Sequence, residues 1–235
     1  MLEVRDAPDL VVRRVRGEPL QYLTGEKEFY GLSFRVAPGV LIPRPETEIM
    51  VEKVLTLVGR RADSNVRFAD IGAGSGCIAI SVLYNLPSSL CWAVDLSAPA
   101  LAIAWENAIR HGVNKRMVLL QADLLTCFPN KRCFDLVLCN PPYIALREYD
   151  SLPSEVRDYE PHGALFGGES GLDIYRRLAP EVVPRLVEGG YLLLEAGAGQ
   201  AKDVVKIVQE AGLSLETVIK DLQGIERCIV ARTGS

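Results

Sequence analysis

Phe134-Asp-Leu-Val-Leu-Cys-Asn-Pro-Pro-Tyr143 is the stretch from which the rest of the chain can be read. Phe134 to Cys139 is a short apolar run, the mark of a strand buried on both faces in a parallel sheet. Pro141 and Pro142 lack the N–H that a ladder needs, so the backbone must leave the sheet there. Asn140 and Tyr143 thus stand at a strand's carboxyl end, where open α/β sheets bind ligands. An amide can hydrogen-bond a planar NH2 group while a ring packs on its face. The stretch reads as a clamp for a planar nitrogen nucleophile. The alternative is a proline-rich turn with a buried Asn cap.

Outward from this stretch, strands and helices alternate. The pattern predicts strands over 66–70, 90–95, 117–122, 134–139 and 191–195, with a helix from the turn ending at Gly76 through Tyr84 and further helices over 99–111, 172–186 and 200–210. Strands over 213–220 and 225–231, expected to be antiparallel, close the chain. The predicted fold is α/β, a Rossmann-like doubly wound sheet of seven strands. Ahead of it, Asp6 can cap a helix over 7–16, with Leu10, Val11 and Val15 as a thin apolar face. A β-hairpin is expected within 21–36, turning at Gly25 and Gly31. Residues 1–40 then form a short N-terminal helix and hairpin, and 41–235 the main domain. Pro45, Glu46 and Glu48 suit the start of a helix reaching about residue 57. Spacing alone leaves a functional reading of Arg44, Glu46 and Thr47 equally open.

Asp70-Ile-Gly-Ala-Gly-Ser-Gly76 is the turn after the first strand of the main domain. Gly72, Gly74 and Gly76, with Ala73 and Ser75 between them, let the backbone approach a ligand closely. A dinucleotide fingerprint spaces its glycines G-x-G-x-x-G; here they run G-x-G-x-G, and Cys77 takes the last position. A carboxylate at Asp70 is poorly placed beside a pyrophosphate but suits an ammonium or sulfonium group. Asp95, with Leu96 beside it, is positioned to accept from both ribose hydroxyls. Asp123 can take an adenine amino group, with Leu124 packed on the base. Each aspartate can instead cap the turn that follows it, Asp95 through the turn at Ser97. Three carboxylates at three successive strand ends favour a ligand over capping. The expected cofactor is S-adenosyl-L-methionine, leaving as S-adenosyl-L-homocysteine, rather than a nicotinamide.

The formal net charge of −4 over 235 residues provides no basic field for gripping a phosphate backbone. Acids also outnumber bases from Arg147 to Glu160, so direct nucleic-acid binding is not expected. The six cysteines form no CxxC pair, and His111 and His162 are the only histidines, so no metal site is expected. Cys91, Cys139 and Cys228 sit within apolar runs, and all six cysteines read as reduced thiols of a cytoplasmic protein, with an organellar version as the alternative. No apolar run reaches membrane-spanning length. A monomer is expected.

Several segments together resemble the HemK/PrmC family of peptide-chain release factor glutamine N5-methyltransferases. They are Gly17-Glu-Pro-Leu-Gln-Tyr22, Gly25-Glu-Lys-Glu-Phe-Tyr-Gly31, Leu41-Ile-Pro-Arg-Pro-Glu-Thr-Glu48, Asp70 to Gly76, Asn140 to Tyr143, Val156-Arg-Asp-Tyr-Glu-Pro161 and Leu194-Glu-Ala-Gly-Ala-Gly-Gln200. Asn-Pro-Pro-Tyr is shared with DNA adenine and RNA guanine methyltransferases, which makes an amino methyltransferase of that kind the rival reading. The segment ending in Glu48 and the Glu-Lys-Glu-Phe-Tyr-Gly hairpin are more specific. The resemblance implies a class I S-adenosylmethionine-dependent methyltransferase acting on the glutamine of a Gly-Gly-Gln loop in release factors. It places the cofactor against Gly72 to Gly76, Asp95, Leu124 and Asn140, and the substrate glutamine against Asn140, Pro141, Pro142 and Tyr143. Arg44 is a candidate partner for the methionine carboxylate. In such a site the Asn140 oxygen and the Pro141 carbonyl would each accept one amide N–H. Two departures stand out: the family usually carries a larger helical N-terminal module, and Leu124 stands where an aromatic residue is frequent.

Overall fold

The computed structural model describes residues 7–59 and 65–234; Asp6, the expected cap of the first helix, lies outside them. Helices α1 (Ala7–Val15) and α2 (Leu20–Thr24) precede a hairpin of β1 (Glu26–Phe29) and β2 (Leu32–Arg35). The hairpin starts later than the sequence suggested, because 20–24 is a single helical turn. Pro19 sets its start, and Gly25, at φ +74, ends it by donating its N–H to the Gln21 carbonyl. One turn is too short to show a helical period. The valines of α1 are also less covered than expected, with Val15 82% exposed.

After a 3-10 turn at Pro45–Thr47 comes α3 (Glu48–Gly59). Alternation then follows through β3 (Arg67–Ile71), α4 (Cys77–Asn85), β4 (Leu90–Asp95), α5 (Ala98–Arg110), β5 (Met117–Gln121) and β6 (Phe134–Cys139). Short helices α6 (Ser154–Arg157) and α7 (His162–Leu165) lead to α8 (Asp173–Val182), β7 (Leu186–Glu195), α9 (Ala201–Glu210), β8 (Ser214–Lys220) and β9 (Glu226–Arg232). The helix expected over 172–186 contains Pro180 and stops at Val182, where residues 183–185 turn the chain back into the sheet. Leu186 instead opens β7, paired with Phe134.

The seven strands are ordered β5-β4-β3-β6-β7-β9-β8, with β9 antiparallel to both neighbours and the other pairs parallel. Both faces are apolar, as the continuous hydrophobic runs require. Along β6, Leu136 and Leu138 enter a core with α3, α4 and α5, while Val137 and Cys139 enter a second core with α8 and α9. Phe29 and Phe34 of the hairpin are fully buried in the first of these cores. The chain leaves β3 toward β4 on one side and returns to β6 on the other. The carboxyl ends of β3 and β6 therefore flank the switch point, where a crevice opens.

Candidate active site

A cavity of about 280 Å³ occupies that crevice. Its wall takes Ile71 to Ser75 from the end of β3, Val94 to Ser97 from β4, Ala122 to Leu124 from β5, and Cys139 to Pro142 from β6. A second cavity, of about 140 Å³, is lined by Tyr143, Ile144, Val156 and Leu165. Leu41, Arg44, Asn140, Pro141 and Ala164 line both. The turn after β6 is thus the partition between two spaces, with Asn140 and Pro141 facing each and Tyr143 only the smaller. Among the described residues, no donor bonds the Pro141 carbonyl.

The glycine turn forms the floor of the larger cavity. Gly72 and Gly74 have φ +74 and +55, in the left-handed region that favours glycine. A Cβ at Gly72 would project to 3.8 Å from the Asn140 carbonyl oxygen, into the space between turn and partition. Asp95 accepts the N–H of Gly74 and that of Ser97, both at 2.8 Å, so its capping reading is realised. A carboxylate has about four lone-pair sites, and Asp95 still lines the cavity with acceptor capacity to spare. Asp123 pairs with Arg177 at 2.5 Å. Leu124 is buried at φ +50, a conformation costing a non-glycine residue about 1–2 kcal/mol. The next N–H, of Leu125, is held by the Glu181 carboxylate, which fixes this bend against the cavity.

Two expected cofactor contacts are engaged elsewhere. Asp70 lies behind the cavity wall, fully buried, accepting the Ala79 N–H at the start of α4. Its Oδ1 has no hydrogen-bond partner among the described residues. Burial pushes its carboxyl up to about 7 against the ordinary 3.8, the Ala79 N–H opposing. Arg44 lines both cavities, but its guanidinium donates to buried Glu160 at 2.5 Å and to the Ile42 carbonyl at 2.9 Å.

The Asn140 side chain belongs to a polar chain that residue spacing did not reveal. Its Nδ2 donates to Thr47 Oγ1 at 3.2 Å, and Thr47 Oγ1 donates to Glu195 Oε2 at 2.6 Å. Thr47 comes from the turn before α3 and Glu195 from the last position of β7; both are buried. Burial raises the Glu195 carboxyl to about 7 from its ordinary 4.5, opposed by the Thr47 hydrogen bond and by Arg227. Tyr143 is held from behind: Gln200 Nε2 donates to its carbonyl at 2.9 Å, and Gln200 Oε1 accepts the Gly197 N–H at 3.1 Å. Burial pushes the Tyr143 phenol up to about 12, so it stays neutral. Gly167 and Gly171 lie directly under the turn, where a Cβ on either would collide with the carbonyl oxygen of Pro142 or Tyr143. Gly167 and Gly171, two of the three glycines in Phe166-Gly-Gly-Glu-Ser-Gly171, were a visible signal of a close backbone approach.

The raised carboxyls predict how stability depends on pH. Asp70 and Glu195 hold protons more tightly when folded than when unfolded, so their contribution is fully present below about pH 4 and is lost as pH rises through about 7. Each group gives a slope approaching about 1.4 kcal/mol per pH unit within that window. Thermal unfolding should show Tm falling between about pH 5 and pH 7 and then levelling, with a shallower fall in Glu195→Gln. A Tm that rises through this window would contradict the assignment.

The profile of the family described as "Methyltransferase small domain" matches residues 47–152. The chain is 44% identical over 224 residues to a release factor glutamine methyltransferase of Koribacter versatilis, covering 95% of this chain and 78% of that protein. It is 43% identical over 225 residues to its namesake in Geobacter sulfurreducens, covering 96% and 77%. Among solved structures, a release-factor-specific protein-(glutamine-N5) methyltransferase from Alicyclobacillus acidocaldarius superposes with a TM-score of 0.51. It is 30% identical to this chain, covering 86% of this chain and all of that one. With identity at this level along nearly its whole length, and a two-cavity site at the switch point of the same kind of sheet, the chain belongs to the release factor glutamine methyltransferase family.

Proposed function

We propose that this protein transfers a methyl group from S-adenosyl-L-methionine to the side-chain amide nitrogen of a glutamine in peptide-chain release factors. The observation that carries the reading is the partition: Asn140 and Pro141 line both cavities, so one turn can touch a cofactor and an acceptor together. The larger cavity suits the cofactor by its chemistry. Gly72 and Gly74 leave room for close backbone contact, the lining is largely apolar, and Asp95 and Asp123 are its carboxylates. Those carboxylates would oppose a pyrophosphate and attract a cation. When bound, the cofactor supplies an activated methyl on a good sulfur leaving group.

This chain's own residues supply position. An amide nitrogen is a weak nucleophile because its lone pair is shared with the carbonyl. The Asn140 Oδ1 and the Pro141 carbonyl, two acceptors on one rigid turn, each take one N–H of the substrate amide. With both hydrogens held, the lone-pair direction points through the partition toward the larger cavity. Tyr143, neutral and pinned by Gln200, packs on the amide plane from the smaller cavity. Holding two reactants in a productive geometry is worth on the order of 7–11 kcal/mol of barrier. The proton released after transfer passes to water.

Label transfer tests the reading. Incubated with methyl-labelled cofactor, the protein should label a release factor and leave duplex DNA and ribosomal RNA unlabelled. Label on a nucleic acid with none on the release factor would overturn it, in favour of the same clamp holding a base amino group.

A further inference from the structure

The Asn140 amide can face the substrate with its oxygen or with its NH2, and only the oxygen accepts a hydrogen bond. Its other end meets Thr47 Oγ1, which in turn meets Glu195 Oε2. A hydroxyl has one proton to give. When Glu195 is a carboxylate it can only accept. Thr47 must then donate to Glu195 and accept from Asn140, which turns the NH2 toward Thr47 and leaves Oδ1 for the substrate. When Glu195 carries a proton the chain can run backward: Glu195 donates to Thr47, and Thr47 donates to Asn140. The amide is then reversed, NH2 meets NH2, and the clamp loses an acceptor. Thr47 and Glu195 are 2% and 3% exposed, so bulk water cannot scramble the direction of the chain.

We infer that Thr47 and Glu195 are positioning residues that set which end of the Asn140 amide faces the substrate, so that methyl transfer requires Glu195 to be ionised. The inference rests on the functional reading above. The surroundings of Glu195 place its titration where it can matter. Burial and nearby Glu46 raise its carboxyl, the Thr47 hydroxyl, Arg227 and Arg44 lower it, and the balance stands at about 7. Arg227 is shared with Asp221 at 3.0 Å and Arg44 with Glu160 at 2.5 Å, so neither is committed to Glu195. The other titratable groups around it are Tyr143, Tyr175, Cys77, Cys139 and Cys228. Burial raises all of them, so they remain neutral near pH 7. Asp70, raised to a similar value, faces α4 and has no link to the Asn140–Thr47 chain.

The experiment has a kinetic arm and a substrate-free arm. Between about pH 5 and pH 9, wild-type kcat on a release factor should rise through a step near 7, with the KM for cofactor nearly flat. Glu195→Gln offers a carboxamide that both donates and accepts, so its kcat should lie below the wild-type plateau and lose the step. Thr47→Ser should keep the step, and Thr47→Val should lower kcat and not KM. An undiminished step in Glu195→Gln would place the titrating group elsewhere and overturn the inference. In the substrate-free arm, infrared titration follows the carboxylic acid band that Glu195→Gln removes. Thr47→Val deletes a bond that favours the ionised form, so that band should titrate at higher pH; an unmoved titration overturns the relay. Should the wild type leave release factors unmethylated while the band still moves, the functional reading falls and the relay stands.

Discussion

Asn140→Ala is expected to lower kcat for methyl transfer by on the order of 10²–10³-fold, the usual cost of losing one preorganised polar contact to a reacting group. Cofactor affinity should change little. The split follows from where the residue stands. The rest of the larger cavity is walled by the ends of β3, β4 and β5 and by residues within 39–47 and 161–174, and Asn140 contributes only to its partition. Its side chain is already turned toward Thr47, which leaves one amide oxygen for the acceptor. Alanine keeps the backbone and the two prolines, so the turn persists without its acceptor. Calorimetry with the cofactor and single-turnover methylation separate the two effects. A parallel loss of cofactor binding would mean that Asn140 serves the cofactor rather than the substrate.

The second large effect is expected at Gly171, which lines neither cavity. Its φ of +74 and its place beneath Tyr143 leave no room for a side chain. A Cβ there would run into the Tyr143 carbonyl oxygen and stand 2.6 Å from Gln200 Nε2. That carbonyl and that amide make the 2.9 Å hydrogen bond that pins the turn, so alanine must displace one or the other. Misplacing a reacting group by about 1 Å can cost on the order of 10²-fold in rate. Gly171→Ala should therefore lose turnover on release factor while binding cofactor as the wild type does. Gly112→Ala is the matched control, since Gly112 has φ +69 and nothing within 4 Å of a built Cβ. Both variants share the backbone strain, and only Gly171→Ala has the collision. Equal losses in the two would refute the displacement argument.

How far the sequence could be read depended on whether the deciding contacts were local. The strand of the opening stretch is found at Phe134–Cys139, the bounds its apolar run marked. A continuous run ended by two prolines admits little else. The antiparallel closing strands and the doubly wound sheet were legible in the same way, from the alternation of strands and helices. The end of α8 is not legible in the sequence, because apolar residues continue past Val182 into β7 and Pro184 carries no clear stop when Pro180 lies inside the helix. The site was half legible. The turn at Asn140 and the glycines after β3 are local features and could be singled out by type and spacing. Thr47 and Glu195 are 148 residues apart, and Arg44 and Glu160 are 116 apart. Such contacts exist only once the sheet order brings β7 beside β6 and the turn before α3 across both. Asp95 shows the limit from another side: both of its readings fit, since the carboxylate that caps Gly74 and Ser97 also lines the cavity.

In the proposed reaction the turn after β6 holds a glutamine amide against the cofactor's methyl group. A fragment mass spectrum of a release factor, taken after incubation with the protein and S-adenosyl-L-methionine, tests it most directly. One added methyl on the side-chain nitrogen of the Gly-Gly-Gln glutamine, absent when Asn140→Ala replaces the wild type, is the predicted result. A methyl group on any other residue, or the same yield from Asn140→Ala, would contradict it.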